Sequence, residues 1–551
     1  MKRPITRGLM VGAGAVHISA VGVLAMMHQR WVIVGTISLA QITLVLLGIA
    51  AGALASPAHE VNPLKGGIAG LFAALPLALL AAMIEFLDPR HIFIALTPDL
   101  LKILTFSLPF WTGILALLGA GIICGVIGNS LRAVPRLPRS AVIAGIVAVM
   151  IVGVFQELIQ QMLPYTGPIG AVRQFVYVWE GLTPAGALVM FVIAALAWPA
   201  WLFIRGRSGP RTDDQLRRQR MTRAGLALLG LVILPALAGN YIGQVLMLVG
   251  LYILMGMGLN LEVGLAGLLD LGFVAFFAVG AYSTALFTAD SPHALLHLSF
   301  WLAMPISVLL AVLVGVIFGL PVLGVRGDYL AVATMGLGEI VRVLVLSDFA
   351  APLLGGAQGI LQIPKPRLGP LVLSSPVQLF YLTLVASAIA AFVAWRLENS
   401  RLGRAWMALR DDEDVAQALG INLVRSKLMA YGLGAAFAGL AGSIFAVMLS
   451  SVYPSSFQLL ISINVLALII VGGMGSLPGV VLGSIALIGL PELLREFGEY
   501  RYLFYGAVLI VMMQWKPEGL WPSEVRRREL HEADEAEVID EGADLIPAQP
   551  Q

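Results

Sequence analysis

Long apolar runs separated by short polar stretches dominate the pattern of residues along this chain. An α-helix of about 20 apolar residues spans a hydrocarbon core of about 30 Å, so each such run predicts a transmembrane helix. The predicted spans lie near residues 9–27, 31–54, 66–86, 110–129, 140–163, 184–204, 222–238, 241–260, 265–287, 301–323, 329–346, 376–397, 428–451, 461–475, 478–493 and 502–517. The pattern therefore predicts an all-α polytopic membrane protein with about sixteen transmembrane helices.

Two features of these runs modify the picture. The spans at 461–475 and 478–493 are short, which is typical of broken or re-entrant helices that face protein or a cavity. The first run has a basic start like a signal peptide, but it is long and no small-residue cleavage site follows "MMHQR". We interpret it as an uncleaved first helix.

Composition supports the membrane interpretation. Of the 551 residues, 59% are hydrophobic and only 12% are charged, whereas about a quarter of an ordinary soluble domain is charged. The single cysteine, Cys124, lies in an apolar run, so no intramolecular disulfide can form. The net charge of +2 says little, because in a membrane protein the placement of Lys and Arg carries the information.

Basic residues give the predicted spans an orientation. If the amino terminus, with Lys2, Arg3 and Arg7, is cytoplasmic, alternation of the spans places most cations on one side of the membrane, as the positive-inside rule requires. That side then holds Lys65, the cluster Arg132, Arg136 and Arg139, the linker 205–223, Arg326, the segment 396–427 and the carboxyl-terminal tail. We expect both termini to be cytoplasmic.

Polar stretches divide the chain into four predicted regions. Residues 1–204 form a membrane region of about six helices to which the sequence assigns no function. Residues 205–223, with seven arginines, form a basic cytoplasmic linker, and residues 224–522 form a second membrane domain. The tail 523–551 turns acidic and has little apolar content, so we expect it to be solvated and disordered.

Several motifs of catalysis and cofactor binding are missing. The sequence has no G-x-x-x-x-G-K-[ST] phosphate-binding loop, no H-E-x-x-H and no C-x-x-C, so ATP hydrolysis within this chain and a bound cofactor are not expected. His293 and His297 are four residues apart with Asp290 nearby, which is a weak metal-site pattern without a clear third and fourth ligand. We interpret these residues as an interfacial outer loop.

Polar residues inside apolar spans are candidates for a substrate path, because ionisable groups at bilayer depth are costly and usually face a cavity or each other. These candidates are Asn260, Glu262, Asp270 and Glu339. Arg342 lies three residues after Glu339, so an ion pair on one helix face is an equal alternative for that residue. Asn260 and Glu262 could equally lie at the cytoplasmic boundary.

A charged segment, 396–427, interrupts the apolar second half. Acidic residues Asp411 to Asp414 precede the helix-forming "VAQAL" and would favour a helix amino terminus through the helix dipole. Gly420 is suited to ending that helix before the chain re-enters the membrane. The segment predicts a short cytoplasmic helix held between two spans, and the alternative is an ordinary charged loop.

Four stretches of the second half carry a specific resemblance. They are "YILMGMGLNLEVGLAGLLDLGFVAFFAVGAYSTALF" (252–287), "VRGDYLAVATMGLGEIVRVLV" (325–345), "GRAWMALRDDEDVAQALGINLVRSKLMAYGLGAAFAGLAGSIFA" (403–446) and "LIIVGGMGSLPGVVLGS" (468–484). Over about residues 225–522 the chain resembles permease subunits of branched-chain amino acid ABC transporters, the LivM type of the LivH/LivM family. The first half resembles a longer form of the amino-terminal extension that some LivM proteins carry.

The resemblance assigns the charged segment a role. In that family the stretch around 411–425 resembles the loop whose coupling helix docks in a cleft of the ATP-binding subunit. The residues that this implies for coupling are Asp411, Asp412, Glu413, Asp414, Ala416, Gly420 and Ile421. The centre of the stretch, "EDVAQALG", departs from the family pattern at several positions.

The resemblance also implies partners and a mechanism. The partners are a second permease subunit of the LivH type, two ATP-binding subunits and an extracytoplasmic substrate-binding protein, with membrane lipid around them and no nucleic acid. This chain would then be a non-catalytic permease that moves branched-chain or related amino acids by alternating access. Three alternatives stay open: a urea or short-chain amide ABC permease, an ion-coupled secondary transporter, and a membrane anchor.

Overall fold

The computed structural model describes residues 2–56, 61–87, 89–91, 93–163, 167–178, 181–206, 213–325, 327–495, 498 and 500–523. The predictions for the tail 524–551, for Arg326 and for residues 207–212 of the linker therefore lie outside the described residues. The chain divides into two compact units, Met1–Ala227 and Leu228–Gln551.

The first unit is helical with one small sheet. Its helices are α1 (Lys2–Ala20), α2 (Val23–His28), α3 (Leu39–Leu54), α4 (Pro63–Leu87), α5 (Pro98–Leu104), α6 (Phe110–Ser130), α7 (Arg136–Val154), α8 (Gln156–Met162), α9 (Gly167–Val176) and α10 (Pro184–Gly206), with a 3-10 turn at Pro89–His91. Its strands are β1 (Trp31–Ile33), β2 (Ile37–Ser38), β3 (Tyr177–Val178) and β4 (Gly181–Leu182), in the order β2-β1-β4-β3. In this sheet β1 pairs with β2 antiparallel and with β4 parallel.

Close contact between helix backbones holds the first unit together. Helix α4 packs against α1, α3 and α6. A Cβ atom on Gly70 would collide with the carbonyl of Gly121, so α4 and α6 touch backbone to backbone, as small residues allow in membrane helices. At one end of this packing, the buried Asn129 amide donates to Gly52 O (3.1 Å) and Ser56 Oγ (3.0 Å) and accepts from Asn62 N (2.7 Å).

A long helix, α11 (Asp213–Leu259), begins inside the predicted linker, provides the first residues of the second unit and is kinked at Gly239, where φ is +83°. The helical segments after it are the π-helical segment Asn260–Leu265, α12 (Val274–Thr288), α13 (Phe300–Val322), α14 (Asp328–Leu346), α15 (Ala351–Leu354), a 3-10 turn at Gly356–Gln358, α16 (Pro376–Glu398), α17 (Arg401–Asp411), α18 (Glu413–Ala418), α19 (Leu423–Leu449), a 3-10 turn at Pro454–Ser456, α20 (Leu459–Gly472), α21 (Leu477–Ser484), a π-helical segment at Ile485–Gly489, α22 (Leu490–Leu493) and α23 (Tyr500–Trp515).

Helix α19 lies at the centre of the second unit, packed against both α12 and α13. A Cβ atom on Gly442 would collide with the carbonyl of Phe277, so α19 and α12 also touch backbone to backbone. The buried apolar core of this unit surrounds that contact and includes Phe277 and Tyr431.

Short strands organise the loops at the end of α19. They are β5 (Ile360–Leu361), β6 (Arg367–Leu368), β7 (Leu371–Val372) and β8 (Ser451–Val452), where β5 pairs with β8 and β6 with β7, all antiparallel. Lys365 Nζ donates to the carbonyls of Val447 (2.6 Å) and Met448 (2.8 Å), which the helix end leaves without helical partners. Burial lowers the pKa of the Lys365 ammonium.

Ten helices in the described residues are long and apolar enough to cross a membrane, and three shorter apolar helices accompany them. The all-α polytopic class is therefore confirmed, whereas the count of sixteen is not. The ten are Pro63–Leu87, Phe110–Ser130, Arg136–Val154, Pro184–Leu202, Ala238–Leu265, Phe300–Pro321, Tyr329–Leu346, Pro376–Glu398, Leu423–Leu449 and Pro454–Gly472.

Several predicted spans are wrong at their boundaries, for identifiable reasons. The first breaks at Gly22, whose φ of +89° ends helical geometry. The span at 31–54 starts as strands, and α3 begins at Leu39 behind a capping box formed by Ser38 and Gln41. The span at 140–163 breaks at Phe155, between α7 and α8.

In the second unit one more predicted boundary differs. The span at 265–287 becomes helical only at Val274, because a non-helical, glycine-containing stretch precedes it. The span at 478–493, predicted as a broken or re-entrant helix, agrees in extent with Leu477–Leu493 and is interrupted by the π-helical segment Ile485–Gly489.

The α12–α19 contact predicts the effect of adding one methyl group. Gly442→Ala should lower the free energy of unfolding by about 1–3 kcal/mol, because the new Cβ overpacks a backbone contact that cannot relax. The measurement is thermal unfolding of the purified protein in detergent. The matched control is Gly336→Ala in α14, where a Cβ has nothing within 4 Å and no loss is expected. An equal melting temperature for the Gly442 variant and this control would contradict the packing argument.

Candidate functional site

The charged segment folds as two short helices in front of α19. Ser400 Oγ caps α17 by accepting from the amides of Leu402 (3.1 Å) and Gly403 (3.3 Å). Asp412 then separates α17 from α18, and its Oδ1 accepts from the amides of Asp414 (2.8 Å) and Val415 (2.9 Å). A carboxylate at this position satisfies free amides and favours the positive end of the helix dipole.

Helix α18 also has a defined carboxyl end. Gly420 adopts φ +88°, and its amide donates to Gln417 O (3.0 Å) while Ile421 N donates to Ala416 O (3.1 Å). This is the Schellman arrangement, in which a glycine takes the left-handed conformation that other residues resist. The predicted short helix that Gly420 ends is therefore confirmed as a structural element.

The inner face of α18 is anchored to α19. Glu413 Oε1 lies 2.7 Å from Lys427 Nζ, whose side chain is only 5% exposed, and Ala416 is buried. The fully buried Trp406 of α17 donates from Nε1 to Ser426 O (2.9 Å). These contacts join α17, α18 and the start of α19 into one packed hairpin. They are strong because the partners are largely shielded from water, which would weaken the electrostatic attraction between them.

The outer face of α18 presents apolar side chains to the exterior. Val415 is 54% exposed and Leu419 is 76% exposed, and their spacing of four residues places them on one helix face. Asp411, Asp412, Asp414 and Gln417 are exposed around them. Exposed apolar side chains rimmed by polar ones are typical of a protein contact surface.

A second group of polar residues is buried deep in the second unit. Asn260 and Glu262 lie in the π-helical segment and Asp270 lies in the stretch after it, and all three are buried. Asn260 Oδ1 accepts from Gly475 N (2.9 Å), and Asp270 Oδ1 accepts from Gly272 N (2.7 Å). The structure thus brings together three of the four residues predicted for a substrate path, in a packed interior.

Glu262 packs directly against α19. Its carboxylate occupies the space that a Cβ on Gly434 would need, so a side chain at position 434 would displace it. Glu262 and Asp270 interact with each other, and Tyr431 of α19 lies near both. No hydrogen-bond donor in the described residues reaches Glu262 Oε1, Glu262 Oε2 or Asp270 Oδ2.

Arg410 connects the two groups. From the last turn of α17, its Nη1 donates to Gly264 O (3.1 Å) in the π-helical segment. The charged hairpin and the buried polar residues are therefore in physical contact, although the sequence analysis treated them separately. The residues of this connection that were not predicted from the sequence are Trp406, Arg410, Lys427 and Gly434; the available signal was a lysine and a tryptophan at the margins of apolar runs.

Glu339 lies apart from the buried group. Arg342 Nε donates to both carboxylate oxygens of Glu339 at 2.9 Å, so the predicted ion pair is confirmed. Both side chains are accessible on one face of α14. On another face of the same helix, Thr334 Oγ1 accepts from Leu271 N (3.0 Å) beside the buried group.

The two histidines of the outer loop take separate partners. His293 Nδ1 lies 3.0 Å from Pro352 O, and His297 Nδ1 lies 4.0 Å from Asp290 Oδ1. Within the described residues no cluster of three or more His, Cys, Asp or Glu side chains is arranged to hold a metal ion.

Comparison with known proteins identifies the class. The family described as branched-chain amino acid transport system / permease component matches residues 241–513. The high-affinity branched-chain amino acid transport system permease protein LivM of Escherichia coli (strain K12) is 38% identical over 61% of this chain and 84% of its own. The probable LivM permease protein of Methanocaldococcus jannaschii is 23% identical over 51% of this chain and 94% of its own.

A further relative comes from the other permease type. The high-affinity branched-chain amino acid transport system permease protein LivH of Salmonella typhimurium is 23% identical over 49% of this chain and 90% of its own. No solved structure gives a significant match. The apolar helices and these matches define a multi-pass permease of the inner membrane. The chain belongs to the branched-chain amino acid ABC transporter permeases, in their LivM type.

The anchoring of α18 predicts a local loss of stability when its buried cation is removed. Lys427→Met keeps the length of the side chain but leaves Glu413 without this partner. The amides of residues 414–420 should therefore exchange with solvent about tenfold faster, because the free energy of local opening falls by ~1–2 kcal/mol. The measurement is hydrogen–deuterium exchange with mass spectrometry. The control is Arg425→Met at a nearby exposed position. Equal exchange in both variants would show that the ion pair does not hold the helix.

Proposed function

We propose that this permease moves branched-chain or related amino acids by alternating access, driven by ATP hydrolysis in separate subunits. The observation that carries the proposal is α18: a helix capped at both ends, anchored through Glu413 and presenting Val415 and Leu419 outward. A rigid, exposed helix on the hairpin between two membrane spans is what a partner needs in order to push on them. The chain itself performs no chemistry in this scheme.

The proposed route of coupling runs through the hairpin contacts. A displacement of α18 by an ATP-binding subunit would move α19 through the Glu413–Lys427 pair and the Trp406–Ser426 hydrogen bond. The Arg410–Gly264 hydrogen bond would carry the same displacement to the π-helical segment. The ends and the exposed surface of this helix are formed with the help of five further residues, Asp411, Asp412, Asp414, Gly420 and Ile421. A packed interior transmits such a shift because it deforms little.

The proposed substrate path lies along the exposed face of α14. Glu339 and Arg342 are accessible there, within a helix apolar enough to cross the membrane. An ion pair facing lipid is costly, so a partner subunit or a polar path should cover it. Asn260, Glu262 and Asp270 belong to the packed wall behind the path, which moves with α17 and α19.

The proposed complex contains a second permease subunit, two ATP-binding subunits and an extracytoplasmic binding protein that delivers the substrate. The similarity to both LivM and LivH proteins supports a pair of related permeases. The names of the relatives support branched-chain amino acids as the substrate class. In the proposed orientation α18 and both termini are cytoplasmic, because the basic residues gather on that side.

The proposed docking surface can be tested with one exposed residue. Leu419→Asp should reduce the amount of ATP-binding subunit that co-purifies with the permease by about tenfold or more, because a charge replaces an apolar contact worth about 1.4 kcal/mol or more. The measurement is a pull-down from mild detergent after co-expression with the neighbouring genes. The control Leu419→Met keeps the contact apolar. Undiminished recovery with Leu419→Asp would rule out this surface.

The proposed path can be tested by exchanging its charges. Glu339→Arg combined with Arg342→Glu keeps an ion pair but reverses its direction. Uptake of labelled leucine should therefore fall about tenfold or more, which corresponds to a rise of ~1.4 kcal/mol in the activation free energy of transport. Assembly with the other subunits should be retained. The control is Leu344→Met, an exposed position on the same helix. Full uptake by the exchanged variant, at equal amounts in the membrane, would mean that the pair is only structural.

A further inference from the structure

Two acidic side chains stand out in the interior of the second unit. Glu262 and Asp270 are the only Asp or Glu residues among the buried residues that the structure describes. They interact with each other, and no described Lys, Arg or His forms an ion pair with either. Two adjacent buried carboxylates without a cation cannot both stay ionised, because burial and mutual repulsion both disfavour the second charge.

The surrounding elements leave this charge unbalanced. Helix α17 supplies Arg410, but its guanidinium donates to Gly264 O and lies near Asp411. Helix α19 supplies the Tyr431 hydroxyl, which is neutral and has no hydrogen-bond partner in the described residues. From the described side chains of α14, the hydroxyl of Thr334 reaches Asp270. Among the described residues, therefore, no side chain around the pair balances its charge.

The hydrogen-bond donors divide unequally between the two carboxylates. Asp270 Oδ1 accepts from Gly272 N at 2.7 Å, and Thr334 lies beside the same carboxylate. In the described part of the chain, Glu262 receives no donor on either oxygen. Donors stabilise the ionised form of a carboxylate, so Asp270 is the member of the pair that keeps the negative charge.

We infer that Glu262 and Asp270 form a proton-binding site, in which Glu262 carries one proton and donates it in a hydrogen bond to Asp270 Oδ2. The proton comes from water and no other bond changes. This arrangement gives partners to the orphan oxygen of Asp270 and to one oxygen of Glu262, and it leaves the pair with a single charge. The inference stands independently of the proposed transport function.

The position of this site gives the proton a structural consequence. The Glu262 carboxyl fills the space beside Gly434 of α19, and its own backbone segment is held by Arg410 and by Gly475 through Asn260. The protonated pair therefore links the π-helical segment to the stretch that carries Asp270 and packs a neutral Glu262 carboxyl against Gly434 of α19. If these elements separate and water enters, Glu262 returns to the ordinary behaviour of a carboxyl group and releases the proton.

Infrared spectroscopy of the purified protein tests this site without any transport assay. The protein is measured in a detergent without carbonyl groups at about pH 8, where an ordinary glutamate is fully ionised. We expect the carbonyl stretch of one protonated carboxylic acid in the unaltered protein and its loss in Glu262→Gln. The amide can still donate to Asp270 Oδ2, so this variant should fold. The control Glu339→Gln removes an accessible, ion-paired carboxylate and should leave the band unchanged.

A second variant keeps the test decisive if Glu262→Gln fails to fold. Asp270→Asn offers an amide donor to Glu262 and removes the neighbouring charge, so Glu262 can ionise and the band should again be lost. Absence of the band in the unaltered protein at about pH 8, or its survival in both variants, would overturn the inference. Sodium binding would also overturn the inference. It would appear as a higher melting temperature in sodium chloride than in choline chloride, and this difference would be lost in Glu262→Gln.

Discussion

Backbone groups that leave helical hydrogen bonding within a membrane protein must find partners in the protein, and the non-helical stretch between Leu265 and Val274 is where this constraint shapes the second unit. Thr334 accepts from Leu271 N, Asp270 accepts from Gly272 N, and Ser462 accepts from Val274 N. These partners come from the stretch itself, from α14 and from α20. The arrangement of the helices around this stretch follows from the need to supply them.

The same constraint explains why the charged hairpin and the buried carboxylates meet. The carbonyl of Gly264 lies in a π-helical segment, and Arg410 of α17 supplies its donor. Because α17 continues through α18 into α19, the residue that satisfies this carbonyl belongs to the element that presents Leu419 outward. The exposed face of the hairpin is thereby connected to the interior through a few hydrogen bonds.

The first unit solves the packing problem in another way. Its helices α4 and α6 approach through glycines such as Gly70 and Gly121, and Asn129 supplies a concentrated set of polar contacts at one end. In the residues that the structure describes, this unit buries no acidic side chain and contains no π-helical segment. The buried acidic side chains and the π-helical segments that the structure describes thus lie in the second unit, which contains the residues that the permease family covers.

The sequence by itself determined the all-α membrane class and indicated the short helix ending at Gly420 and the Glu339–Arg342 pair as one of two alternatives each, because apolar run length, capping residues and three-residue spacing are local properties. Only the tertiary structure decided that Glu262, Asp270 and Tyr431 lie together and that Arg410 reaches Gly264. These residues are far apart along the chain, and their proximity depends on how α14, α17 and α19 pack around a non-helical stretch. Local periodicity carries no information on such packing, since it depends on contacts between distant segments.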